Sequence, residues 1–111
     1  MKFHHCGIPV PERRPGMIEV PGHDVWVTDH QGNPFGLQFM HYESACEVPD
    51  LVRTKPHLAF QVDDLDLALE GQTVLIAPNA PSEGVRVAFI ECQGEPLELL
   101  EFSSSADPRR V

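Results

Sequence analysis

An internal echo constrains this chain more than any other feature. A run beginning His5-Cys6-Gly7-Ile8-Pro9-Val10 is answered by His57-Leu58-Ala59-Phe60-Gln61-Val62, each opening on a histidine and closing on a valine. Downstream, Gly36-Leu37-Gln38-Phe39-Met40 closes the first half as Pro96-Leu97-Glu98-Leu99-Leu100 closes the second, with Gln38 standing where Glu98 stands. Two similar halves must share one core, and at 111 residues the chain is one domain by size. The expected division is a single domain over residues 1–103, with modules spanning about 1–45 and 55–103 and a flexible tail over 104–111.

Local pattern fills in the modules. Phe3 to Val10 reads as a strand, broken by Pro11-Glu12-Arg13-Arg14-Pro15-Gly16. Met17 to Val20 and Asp24 to Thr28 are extended, His30 to Pro34 is turn chemistry, and Phe35 to Tyr42 is the next strand. Glu43 to Lys55 has no clean period and reads as the connection between halves. After the His57–Val62 strand, residues 63–71 carry the one good helix signal: Asp63 or Asp64 can cap it and Gly71 can end it. Thr73 to Ala77 is a strand and Pro78 to Gly84 a loop. Val85 to Cys92 and Pro96 to Phe102 are strands joined by a hairpin-like turn at Gln93-Gly94-Glu95. The second half therefore runs strand, helix, three strands, and the first half shows that order with its helix missing.

The formal charge of −9 disfavours phosphate backbones and anionic lipid, so neither nucleic acid nor membrane is an expected partner. No run approaches the roughly 18 apolar residues of a membrane span, and the first residues lead into no apolar signal core. A cytoplasmic protein is the expectation. Cys6, Cys46 and Cys92 are odd in number and far from CxxC spacing, which argues against a disulfide framework and a thiolate zinc site.

Strand alternation gives the repeat chemical meaning. His5 shares a face with Phe3 and Gly7, His57 with Ala59 and Gln61, Gln38 with Met40 and Tyr42, and Glu98 with Leu100 and Phe102. Pairing of the halves about a pseudo-twofold axis would bring His5 near His57 and Gln38 near Glu98. Two imidazoles, a carboxylate and an amide oxygen suit one divalent ion such as zinc, nickel, cobalt, manganese or ferrous iron. His4, adjacent in the strand, is expected to point to the opposite face. Trp26 and Arg86, central in their strands, are candidates to line the concavity, as are Met40, Tyr42, Leu100 and Phe102. For each of these the plain alternative is packing on a sheet face, and for any single histidine an ordinary strand position. Glu12, Glu43 and Glu101 read as solvated.

His5 in Phe-His-His-Cys-Gly-Ile-Pro-Val, His57 in Pro-His-Leu-Ala-Phe-Gln-Val-Asp-Asp-Leu, and Glu98 after Val85-Arg86-Val87-Ala88-Phe89-Ile90 make the chain resemble the vicinal oxygen chelate superfamily. Its members include glyoxalases, bleomycin-resistance proteins and extradiol dioxygenases. The resemblance covers nearly the whole chain and implies an α+β fold of two βαβββ modules forming a half-open barrel around a metal, here with the first helix reduced or missing. It implies a metal-dependent enzyme acting on a small substrate chelated through adjacent oxygens, with Glu98 or Gln38 handling the proton. The His, Gln, His, Glu set looks like that of the epimerase branch, whose members act on acyl thioesters. The alternative within the same fold is a protein that sequesters a drug-like or aromatic ligand without turnover. A bare sheet face on the first module would expose Val25, Val27, Leu37 and Phe39 at roughly 25 cal/mol per Å². A homodimer is the expected cover.

Overall fold

The computed structural model describes residues 1–104 and 106. Among these, eight strands form one sheet: β1 (Lys2–Pro9), β2 (Ile18–Val20), β3 (Val25–Val27), β4 (Leu37–Tyr42), β5 (His57–Gln61), β6 (Thr73–Ser82), β7 (Val85–Cys92) and β8 (Glu95–Phe102). A single 3-10 turn, His30–Gly32, precedes β4, and two short helices, α1 (Asp50–Thr54) and α2 (Leu65–Ala68), flank β5.

The strand order β2-β3-β4-β1-β5-β8-β7-β6 turns the sequence echo into geometry. The central strands β1 and β5 run antiparallel, while β1 pairs with β4, and β5 with β8, in parallel. Gly7 stands opposite both His57 and Gln38, and Ala59 stands opposite both His5 and Glu98. The two modules are thus related by a pseudo-twofold axis between β1 and β5. The sheet curls into a half-open barrel, with both edge strands, β2 and β6, lining one cavity.

Each face of the curl has its own packing. On the concave side Ala59, Val85, Val87 and Leu100 form a buried cluster with Phe102 against it. On the convex side α2 sets Leu65 on Ala88, Ile90 and Leu99. This helix is one turn, shorter than residues 63–71; Asp64 caps it through Leu67 N–H at 3.1 Å, and the Glu101 carboxylate accepts from Leu65 N–H at 2.8 Å. Glu101 is therefore a cap rather than a solvated side chain.

The first module has no such helix. Its convex face is covered instead by the Pro11–Gly16 segment, which lays Arg13 over the Trp26 ring at 4.0 Å and Arg14 over Phe39 at 4.3 Å. Val25, Val27, Leu37 and Phe39 do not share one bare face: Val25 and Val27 turn into the cavity, whereas Phe39 lies under Arg14.

Three connections depart from the sequence reading. Residues 43–55 contain α1, whose Val52 is buried. The stretch 78–82 continues β6 despite Pro78 and Pro81, because an edge strand bonded only to β7 tolerates residues without an N–H. The β7–β8 turn is tighter than read: Cys92 pairs with Glu95, and Gln93 and Gly94 both have positive φ (51° and 86°), as a two-residue type I′ hairpin requires. Of the tail, residues 105 and 107–111 lie outside the described residues; Ala106 N–H closes a turn onto Ser103.

Candidate metal centre

The central strands deliver the histidines. His5 and His57 are both about 1 % exposed, on β1 and β5, with ring centroids 5.8 Å apart. From β8, Glu98 enters between them: its Oε1 lies 3.2 Å from His5 Nε2 and 3.2 Å from His57 Nε2. The donor atoms of the three residues all lie within 4.8 Å of one another. Bonds of about 2.0–2.2 Å to a shared ion would put neighbouring ligand atoms roughly 2.9–3.5 Å apart at tetrahedral or octahedral angles, a range that holds both 3.2 Å spacings about Glu98.

The electrostatics agree with that fit. Burial pushes the Glu98 carboxyl up, but hydrogen bonds from His5 and His57, reinforced by their charges, outweigh it and hold the pKa down at about 2. Glu98 is therefore an ionised carboxylate facing two imidazole nitrogens, a donor set suited to a borderline divalent ion. The His57 ring is wedged between Gly7 and the edge of Phe89, with Nδ1 buried and without a hydrogen-bond partner. A Cβ on Gly7 would stand 2.2 Å from His57 Cε1, so only glycine leaves room for this ring.

Above the cluster lies a cavity of about 1040 Å³, lined by His5, Gln38 and Glu98 at its buried end. Gln38, on β4, occupies the place pseudo-equivalent to Glu98. Met40 and Tyr42 follow it on the same wall, as the alternation of β4 requires. Burial, with the charge of Glu98 and then Cys46 adding and Arg53 opposing, holds the Tyr42 hydroxyl well above its ordinary range.

The other pocket candidates sit elsewhere. Arg86 points to the convex side, since its neighbours Val85 and Val87 are buried on the concave side; it joins Asp66 at 3.0 Å and Glu101 at 3.3 Å. Trp26 is likewise convex, under Arg13, because Val25 and Val27 take the cavity side. Leu100 is fully buried core, and Phe102 stacks on His4. Glu43 is not simply solvated: it pairs with Arg13, whose hydrogen bond is the chief cause of its lowered pKa.

Two histidines near the cluster escaped the sequence reading. The pairing of β1 with β5 slips between Phe3 and His5, so His4 is the extra residue of a bulge and does not simply face away. Its Nδ1 lies 2.7 Å from His5 Nδ1. His30, on the 3-10 turn, is buried with its ring 4.6 Å from His4 and 5.6 Å from His5. The adjacent pair His4-His5 was the available signal, but alternation argued against it.

No family model and no curated protein matches the chain. Solved structures do. A hypothetical protein from Bacillus halodurans C-125 superposes with a TM-score of 0.64 at 17 % identity, covering 96 % of this chain and 97 % of that one. Methylmalonyl-CoA epimerase from Mycobacterium tuberculosis superposes with a TM-score of 0.59 at 21 % identity, covering 92 % and 88 %. At these identities the likeness is one of fold: the chain has the glyoxalase-like half-barrel, with the helix of its first module missing. No helix among the described residues is long and apolar enough to cross a membrane.

Proposed function

We propose that the protein is a metal-dependent enzyme of the vicinal oxygen chelate type, acting on a small substrate that presents adjacent oxygens. The observation that carries this reading is the convergence of His5, His57 and Glu98, with His5 and Glu98 lining the buried end of a large cavity. Those three would hold one divalent ion, with Gln38 as the fourth donor; when bound, the ion would act as a Lewis acid toward substrate oxygens. The remaining chemistry belongs to the chain. Glu98 is the group to which we assign the transferred proton, and Gln38, an amide that cannot itself take it, would orient the substrate oxygens by hydrogen bonding. Tyr42 keeps its hydroxyl proton at neutral pH and so serves as a hydrogen-bond donor in the cavity.

Charge narrows the substrate. Among the described residues no lysine or arginine lines the cavity, whereas Glu19, Asp24, Asp29 and Glu47 stand around it with apolar walls of Val25, Val27, Met40, Val87 and Phe89. Arg53, nearby, spends its guanidinium on the carbonyls of Glu43 and Cys46. An uncharged or cationic substrate suits such a site better than an acyl-coenzyme A, whose phosphates would meet no cation. Elemental analysis of the purified protein should give one divalent metal per chain, and His57→Ala should lose it while the far-ultraviolet dichroism stays near wild type. Full metal retention in that variant would sink the assignment.

The apolar walls favour a second reading, a protein that sequesters an aromatic ligand without turnover. Tight binding of such a ligand by both metal-loaded and metal-stripped protein, with no turnover of any vicinal-oxygen compound, would put that reading in place of the enzyme.

A further inference from the structure

His5 is held at both ring nitrogens: Nε2 faces Glu98 at 3.2 Å, and Nδ1 faces His4 Nδ1 at 2.7 Å. The bulge makes the second contact possible, since regular alternation would send neighbouring side chains to opposite faces. The His4 ring is itself fixed, stacked on Phe102 with centroids 5.5 Å apart and tilted against His30 at 4.6 Å. We propose that His4 is a positioning residue that sets the tautomer and orientation of His5, presenting Nε2 of His5 as a donor atom to a divalent cation. The proposal rests on reading His5, His57 and Glu98 as a metal site.

The argument is a count of protons. An ionised carboxylate only accepts hydrogen bonds, so without metal the Nε2 of His5 carries a proton toward Glu98, and in the tautomer that holds only that proton His4 Nδ1–H donates to the bare Nδ1 of His5. When Nε2 gives its lone pair to a cation, the proton of His5 must sit on Nδ1, and His4 Nδ1 must now accept. An imidazole meets both demands by moving its own single proton from Nδ1 to Nε2. Neither an ammonium nor a carboxylate at position 4 could take both parts. His57 has no such support, because its Nδ1 lacks a partner and its ring is located by Gly7 and Phe89. The two histidines, equivalent by sequence, are therefore held by different means.

Zinc affinity measured by competition with a chromogenic chelator tests this in the full chain. His4→Phe keeps a ring to stack on Phe102 but removes both nitrogens, and should weaken zinc binding about 10- to 100-fold, the usual effect of losing a ligand's outer partner. His4→Asn offers an amide that can donate or accept near the place of Nδ1, and should stay within about threefold of wild type. Unchanged affinity in His4→Phe overturns the proposal, as does an equal loss in both variants, which would mean that His4 acts by shape. Wild-type protein that binds no stoichiometric zinc overturns the metal reading itself, a separate outcome. Should His4→Phe fail to fold, nitrogen-15 spectra of the zinc-loaded wild type decide: a coupling across the hydrogen bond between the two Nδ1 atoms supports the proposal, and its absence, or a proton on His5 Nε2, refutes it.

Discussion

Gly7 is where one module's backbone yields to the other module's side chain. A methyl group there would meet His57 Cε1 at 2.2 Å, and His57, fully buried and backed by Phe89, has no open space to enter. Gly7→Ala should cost about 1–3 kcal/mol of stability, as overpacking does, read as a lowered denaturant midpoint. It should also abolish stoichiometric metal binding, because the ring that must shift carries a donor atom. Glu98 sets the response to acid of the metal-free protein. Its folded pKa of about 2 lies below the ordinary 4.5, so the unfolded chain binds the proton first. The stabilisation is complete above about pH 4.5 and is lost as the pH falls toward 2. In Glu98→Gln this acid limb should flatten in urea titrations across that window. At this scale the convergence of His5, His57 and Glu98 was legible because equivalent positions of a repeat meet across its axis. His4 was not, since nothing in the sequence announces a bulge. The faces of Trp26 and Arg86 were not either, because parity along a strand decides them only once its neighbours' burial is known.

The elements are small, and their junctions hold them. α2 is a single turn whose Leu65 N–H is taken by a carboxylate from β8, with Arg86 bridging that carboxylate to Asp66 on the helix. Glu101→Ala should cost about 1–2 kcal/mol, the range for a lost cap, while leaving zinc affinity unchanged, since the helix packs on the face opposite the cavity. Coupled loss of both would show that the two faces of the sheet are not independent. Most strands were legible from β-branched and aromatic runs between turn residues. The extension of β6 was hidden by its prolines, which read as loop in any strand that is not an edge, and edge position is a property of the assembled sheet. The cover of the first module was hidden for a related reason. Arg13 and Arg14 read as charges in a break, and only their placement over Trp26 and Phe39 reveals them as lids on aromatic faces.

At the scale of the whole molecule, exposed apolar side chains are scattered, with Ile18 on β2 and Leu67 on α2 apart from one pair that lies together. Phe3 and Phe35, 46 % and 73 % exposed, line one shallow cleft that also takes in Lys2 and Gln61. We expect a homodimer, now on the strength of this patch rather than of a bare sheet face. Sedimentation at tens of micromolar should give twice the chain mass, and Phe35→Ser should return it toward the monomer; a wild-type monomer would count directly against the assembly. The pseudo-twofold axis has a different consequence within one chain. The seam between β1 and β5 also divides the donors, giving each side one imidazole and one side-chain oxygen. Severed in the exposed stretch at Ser44 and Ala45, the protein would become two peptides, each a weak bidentate fragment. Together they would form a chelate, so the cation would report coincidence of the halves and drive it, docking and loading being one equilibrium.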